Sequence, residues 1–413
     1  MSLLQNINLW GEDIPYLSGL REKSLISFEK NGLPNPKTEA WRYSYFREED
    51  LQNPQIDNEP VKCDGHCHNG DELPFDALQI KYCNGKLHIN DWNAPKGVTI
   101  KSLIEAIYDG DIKSYLNKSF NADDFPFAAL NGVYLEQGLF ILIERGTVLE
   151  EPLYIKYYNH VDKNRLCNIR NVIVAENRAK ATIIEHFCSE ERALYTQNTV
   201  NEIFVGSNAK LQHYVWQNEA KNSHHIALNS VQVKEGGNYA AFYANGVCGF
   251  SRHESYIRLL QEGAGAKVNG VYKLSEANQV CDITTNIRHL APHTYSNQLV
   301  KGVAKNKAKG VFQGQIHIAP DAQQADGHQL HRALLLDDNA EIDCKPELEV
   351  FADDVKCSHG ASSGDLDREQ IFYMQARGIG EDEARKILVD AYLNEVFALN
   401  ENQDISEWIK AQF

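Results

Sequence analysis

The sequence predicts a mainly β protein wound as a solenoid, with helical regions at both ends. From Gly138 to Asp365, roughly 220 residues, the chain is written in short β-branched and aromatic runs broken by Gly and Asn, with hardly a helical period. Within that stretch a small residue followed by Lys or Glu and an alternating run recurs at Ala179, Ala209, Ala266, Ala308 and Ala340, with a degenerate copy at Tyr239. The steps between these positions in chain order are 30, 30, 27, 42 and 32 residues, a loose period near 30. Periods of this size mark stacked repeats, and β units with turn residues favour a β-solenoid over paired helices. A β-sandwich would make similar strands but has no need of the same small-residue corner at this interval. A solenoid requires covered ends, and the flanking helical segments are the expected caps.

The elements follow in order. Ile14 to Asn31 reads as a helix with Leu17, Leu20, Leu25 and Phe28 as its main apolar residues, stopped at Asn31-Gly32. Gly32-Leu33-Pro34-Asn35-Pro36 then fixes a turn, and Trp41 and Tyr43 behind it are large anchors suited to a packed connector. Val98 to Phe120 holds a second helical patch around Leu103, Ile104, Ile107 and Tyr108. After Gly364, Asp365 to Gly378 reads as a helix with early acidic residues and a Gly stop, and another begins at Glu381 with a stripe of Ala384, Ile387, Leu388, Ala391, Tyr392 and Val396. The expected organisation is an N-terminal region over 1–125, helical then irregular, a β core over 126–364 and a C-terminal helical region over 365–413.

Composition narrows the function. The 413 residues carry 41 basic and 57 acidic side chains, a formal charge of −16, which disfavours nucleic acid and anionic membrane as partners. No signal-peptide pattern opens the chain and no apolar run is long enough to span a bilayer. Nine scattered cysteines, an odd number, fit free thiols in a reducing cytoplasm. Phosphate-binding, dinucleotide and nucleophile-elbow motifs are absent, so any use of ATP would fall to another subunit.

Four candidate groups remain. Cys63-Asp64-Gly65-His66-Cys67-His68 is dense in metal-competent side chains, but its spacing matches no zinc motif and it reads as a loop. His328 and His331 would share a face only on a helix, which the β context opposes, and the adjacent His224 and His225 would point apart in a strand. Asp343, Asp353 and Asp354 are the acids to consider for a β-helix enzyme acting on carbohydrate, though adjacent Asp353 and Asp354 would face opposite ways. Cys357 and His359 fall on one face of an extended segment, roughly 7 Å apart from Cα to Cα. A thiol and an imidazole so placed suit coordination of iron or zinc, but two ligands need others from elsewhere. A packed thiol with a hydrogen-bonded histidine is the alternative.

The run Lys345-Pro346-Glu347-Leu348-Glu349-Val350-Phe351-Ala352-Asp353-Asp354-Val355-Lys356-Cys357-Ser358-His359-Gly360-Ala361, with Glu369 to Tyr373 and Arg377-Gly378-Ile379, closely resembles the SufB/SufD family of the SUF iron-sulfur cluster assembly system. Gly32-Leu33-Pro34 and Lys37 to Tyr43 are similar to that family's N-terminal motif. The Lys-Cys-Ser-His-Gly-Ala form places the chain on the SufD rather than the SufB side. The resemblance implies a right-handed parallel β-helix flanked by helical regions, and a non-catalytic scaffold subunit that pairs with SufB through the β-helices and binds the ATPase SufC through its C-terminal helices. It further implies that His359 and Cys357 face SufB and help hold iron or a nascent iron-sulfur cluster, transiently and only in the complex. A purely structural partner of SufB is the reading without that ligand role, and the isolated chain is expected to be able to pair with itself as a homodimer. Ser362, His331 and Cys344 depart from the family pattern and take no role from it.

Overall fold

A computed structural model describes residues 11, 14–35, 37–46, 51, 72–88, 94–161 and 164–413. The stretch from Cys63 to His68 lies outside the described residues.

The alternating runs form two facing sheets. Sheet 1 passes in space from β3 (Val98–Ser102) through β4 (Leu139–Ile143), β6 (Arg165–Ala175), β8 (Tyr195–Val205), β10 (His224–Val233), β12 (Phe250–Leu259), β14 (Val280–His289) and β16 (Lys309–Ile318) to β18 (Glu341–Val350). Sheet 2 passes from β2 (Lys86–His88) and β1 (Leu78–Cys83) through β5 (Leu153–Asn159), β7 (Lys180–Ser189), β9 (Lys210–Asn218), β11 (Asn238–Asn245), β13 (Gly265–Leu274), β15 (Tyr295–Ala304) and β17 (Asp326–Leu335) to β19 (Lys356–Gly364). From β4 onward successive strands alternate between the sheets and pair in parallel with the strand one coil away, which is the parallel β-solenoid that the repeat predicts.

The register corrects the phase of that repeat. Along sheet 1 one coil takes between 26 and 32 residues, as in His224↔Phe250 and Lys309↔Glu341. Ala179 and Ala209 sit at corners leading into sheet 2, but Ala308 and Ala340 lead into sheet 1, on the opposite side. The 42-residue step therefore spans about one and a half coils. The recurring feature at the first corner is a left-handed residue: Arg178, Asn208, Gly236, Gly263, His293 and Gln324, with φ between 56° and 69°. Each lets the chain reverse tightly, at least cost where it is Gly or Asn. The next residue closes the turn, as when Ala179 N–H donates to Glu176 O at 2.9 Å and Ala209 N–H to Gly206 O at 3.1 Å.

Between the sheets, branched and aromatic side chains such as Ile173, Ile183, Ile203, Val231 and Ile257 are fully buried. A polar row runs among them: Asn171 donates to Asn201 at 2.9 Å and Asn201 to Asn229 at 2.8 Å. Buried Glu185 accepts from Tyr157 and Asn201 and lies 2.8 Å from His213 Nε2, so its charge is not left unpartnered.

The helices do not sit where caps were expected. α1 (Pro15–Asn31), α2 (Leu103–Asp109) and α3 (Pro126–Val133) precede the coils; Phe28 of α1 and Phe127 and Leu130 of α3 pack with Trp41 and Phe46 on Leu166, Ile226 and Phe250 of sheet 1. α4 (Arg368–Gln375), α5 (Glu381–Phe397) and α6 (Gln403–Gln412) run back along the outer face of sheet 2, where Ile371, Val396, Phe397 and Ile409 join Tyr154, Trp216, Phe242 and Leu299. The reason is compositional: these outer sheet faces are apolar and must be covered. The N-terminal end is closed by strands instead, since β3 pairs antiparallel with β4 and the β1–β2 hairpin lies against β5. On α5, Ala384 and Val396 face the core as the stripe predicts, but Ile387 and Ala391 point to solvent while Val389, Leu393 and Phe397 are buried.

Candidate functional site

Among the described residues, the C-terminal end of the solenoid is an open edge, with β18 paired only with β16 and β19 only with β17. Glu341 N–H donates to Ala308 O at 3.0 Å and Phe351 N–H to Ile318 O at 2.9 Å, so on β18 the odd-numbered amides face β16 and the even-numbered ones face outward. Pro346 is at an outward position, where a missing N–H breaks no ladder bond. Lys356 N–H donates to Ala325 O at 2.9 Å, so on β19 the amides of Cys357, His359 and Ala361 point off the edge.

Side chains alternate as the amides do. Cys357 is in register with Gly327, and His359 with Gln329. Gly327, Gln329 and His331 form the buried, interior-facing row of β17, so Cys357, His359 and Ala361 continue that row one coil further. No described residue covers them: His359 is exposed, and Cys357 is half-buried beside Ile316, Ile318, Leu348 and Val355. The two candidate groups thus share one face, at the mouth of the last coil. Burial, and secondarily the charge of Asp326, push the Cys357 thiol up, so it is a protonated, packed thiol at neutral pH unless a cation draws off the proton.

Thiol and imidazole are donors that iron accepts, but the count is short. Among the described residues no three His, Cys, Asp or Glu side chains are grouped to hold a metal ion. Cys344 also faces the interior, on β18 in register with Phe312, and burial pushes its thiol up to about 11. His331 is buried against Phe312, with ring centroids 5.0 Å apart, and its Nε2 lies 2.9 Å from Tyr272 Oη. Burial lowers its pKa to about 4. His328, three residues earlier on the same strand, is on the outer face, so the His328 and His331 pair is split as the β reading requires. His225 is buried against Glu219 at 2.9 Å while His224 is partly exposed. Asp343 is paired with Lys309 at 2.6 Å, and Asp353 and Asp354 are exposed in the corner after β18. Cys167, Cys248, Cys281, Cys344 and Cys357 are free thiols, and Cys83, Cys167, Cys248 and Cys281 are buried.

The N-terminal aromatics act as connectors. Trp41 is buried against Phe127, with Arg252 4.1 Å above its ring. Arg252 is itself buried between Glu254 at 2.6 Å and Asp282 at 2.5 Å, and Ser44 completes the group with hydrogen bonds to both Arg252 and Asp282. Sequence reading missed this clamp because Trp41 and Ser44 lie more than two hundred residues from Arg252 and Asp282; the signal available was an Arg and a Glu two apart on one face of β12, with an Asp in register one coil on. A second feature is an exposed apolar group on the C-terminal helices, where Phe372, Tyr373 and Ile387 are 72%, 58% and 42% exposed. Among the described residues no helix is long and apolar enough to cross a membrane.

Two family models cover most of the chain. The SufBD core domain of SUF system FeS cluster assembly matches residues 158–392, and the SufBD protein N-terminal region matches 6–155. The iron-sulfur cluster assembly protein SufD of Escherichia coli is 29% identical over 95% of this chain and 91% of its own length. An iron-sulfur cluster assembly SufBD family protein of Synechocystis is 29% identical over 74% of this chain and 70% of its own. The chloroplastic protein ABCI7 of Arabidopsis thaliana is 31% identical over 70% of this chain and 62% of its own.

Proposed function

The chain belongs to the SufBD family of iron-sulfur cluster assembly proteins, and from that premise we propose that it is a cytoplasmic scaffold subunit whose open β edge pairs with a SufB-type chain. The observation that carries this reading is the uncovered last coil: among the described residues its two parallel strands end without partners, and His359 and Cys357 lie on an interior-facing row that none of them covers. An unpaired strand edge of this length is a template for another chain. The iron or nascent cluster is cargo, held between His359, Cys357 and ligands from the partner. Phe372, Tyr373 and Ile387 are the surface offered to a SufC-type ATPase, which supplies the nucleotide chemistry.

The test is co-expression with SufB and SufC homologues. A stoichiometric complex supports the reading, and recovery of the chain without either partner sinks it. In the absence of partners the same edge pairs two copies of the chain, which light scattering reads as a dimer. A monomer at every concentration contradicts self-pairing.

A further inference from the structure

We propose that Arg258 and Arg288 form an oxyanion site on the outer face of sheet 1, and that the hollow beside them takes the body of a small hydroxylated phosphate monoester. The two arginines are in register on neighbouring strands, β12 and β14, and share a face with Tyr256 and Asn286 two residues earlier. Neighbouring strands lie about 4.8 Å apart, so the two side chains leave the sheet next to one another. Like charges directly opposite one another repel, and an acid in the same row would relieve them. This row supplies none to either arginine. Among the described residues Arg258 donates through Nη2 to Ser119 O at 2.6 Å and Arg288 through Nη1 to Tyr256 Oη at 3.4 Å, and neither makes an ion pair. His317 continues the row on β16, but Glu349 lies on it at 2.9 Å. Arg252, on the same strand and face as Arg258, shows the ordinary arrangement, held between two carboxylates. In a chain with 57 acidic and 41 basic side chains, two adjacent arginines without an acid are a departure that calls for an anion.

Buried atoms point the same way. The Nε–H groups of Arg258 and Arg288 are buried and donate to no described group, and Asn286 Oδ1 is buried without a donor. A buried N–H without an acceptor costs free energy, and a phosphate presents several oxygens at the spacing that a guanidinium fork matches. Tyr256 ties the two arginines together, with its hydroxyl on Arg288 and its ring centroid 5.7 Å from Arg258 Cζ.

Tyr256, Asn286 and Arg288 also line a hollow of about 520 Å³, which Trp41, Phe125 and Asp124 help to wall from the N-terminal region. That volume suits a small metabolite rather than a lone ion. The aromatic rings give the body apolar contact, and the carboxylates decide its polar character. Asp123 is held by Lys30 at 2.7 Å and Glu254 by Arg252 at 2.6 Å, which leaves Asp124 and Asn286 Oδ1 as acceptors among the described lining residues. Acceptors beside a cationic pair fit a ligand that carries hydroxyl donors on its body and one oxyanion. The site is on the outer face of the sheet, with β16 between it and the open edge strand β18.

The test is calorimetric titration of the full isolated chain with ribose 5-phosphate, inorganic phosphate and ribose. Ribose 5-phosphate is expected to bind with a millimolar or tighter Kd, inorganic phosphate about tenfold more weakly, and ribose not measurably. Arg258→Gln and Arg288→Gln should each weaken both phosphate ligands about tenfold or more. Asp124→Asn should weaken ribose 5-phosphate and leave inorganic phosphate unchanged, which separates the hollow from the arginine pair. Without ligand, Arg288→Gln should unfold at the same temperature as wild type or higher, because it removes repulsion and strands no acid; an arginine with a merely structural role would lower it. Ribose 5-phosphate should raise the unfolding temperature of wild type and not of Arg288→Gln. No binding of ribose 5-phosphate, equal binding of ribose, or binding undiminished in both arginine variants overturns the proposal. Binding of inorganic phosphate as tight as that of the ester overturns the role of the hollow. None of these results depends on partner binding or iron.

Discussion

Two neighbouring residues of β19 should respond in opposite ways to the same substitution. The amide of Ala361 points off the open edge, whereas that of Ser362 points at β17, by the alternation anchored at Lys356 N–H to Ala325 O. Ala361→Pro therefore removes no hydrogen bond within the isolated chain, and edge positions with outward amides are where strands tolerate proline. Its cost to stability should be below about 1 kcal/mol. Ser362→Pro removes a ladder bond and forces the ring against β17, for a loss of about 3 kcal/mol. Partner binding should invert the order of harm. A chain added at the edge would hydrogen-bond the Ala361 amide, so Ala361→Pro deletes that bond and wedges the new ladder open, weakening association at least tenfold, or about 1.4 kcal/mol. Urea titration of the isolated chain and a binding titration with a SufB homologue read the two effects separately. Equal unfolding midpoints for the two prolines would refute the assignment of amide directions, and undiminished binding by Ala361→Pro would refute edge pairing.

Other outcomes follow from the same geometry. Arg252→Ala strands the buried carboxylates of Asp282 and Glu254 and should cost about 3–5 kcal/mol in urea unfolding, with earlier proteolysis of the N-terminal connector; a change below about 1 kcal/mol would contradict the clamp. Burial holds His289 and His331 to pKa values of about 4, below the ordinary 6.5, so below pH 6.5 the unfolded chain binds protons that the folded chain refuses. Stability should thus fall as pH drops from 6.5 toward 4, by about 2 kcal/mol per histidine at pH 5, and equal unfolding free energies at pH 8 and pH 5 would contradict their burial as neutral rings. Phe372→Asp, at a side chain 72% exposed, should leave urea unfolding within about 0.5 kcal/mol and abolish binding of a SufC homologue; retained binding would move the ATPase elsewhere.

Much of this architecture was legible because solenoid physics is repetitive. Small corner residues and alternating runs must return once per coil, and Cys357 and His359 two apart in a strand must share a face. The phase was less legible, since both corners of each coil use Ala after a tight turn and the text does not distinguish Ala209 from Ala308. The helices were misplaced for a related reason. Trp216, Phe242 and Leu299 are large apolar residues that alternation puts on the outside of sheet 2, where they need α5 and α6 as cover. The rotation of α5 that exposes Ile387 depends on that same surface. Pro346 was an available sign that β18 is an edge strand. The buried clamp at Arg252 and the juxtaposition of Arg258 and Arg288 depend on register between strands distant in sequence, which local pattern does not encode.

His359, as proposed, is half of a site completed by another chain. The direct measurement is iron and acid-labile sulfide per complex after co-purification with SufB and SufC homologues, comparing wild type with His359→Ala. The variant should still assemble with both partners, because the exposed imidazole carries no packing load, and its iron and sulfide content should fall well below wild type. An assembled variant with wild-type iron and sulfide would show that His359 holds neither.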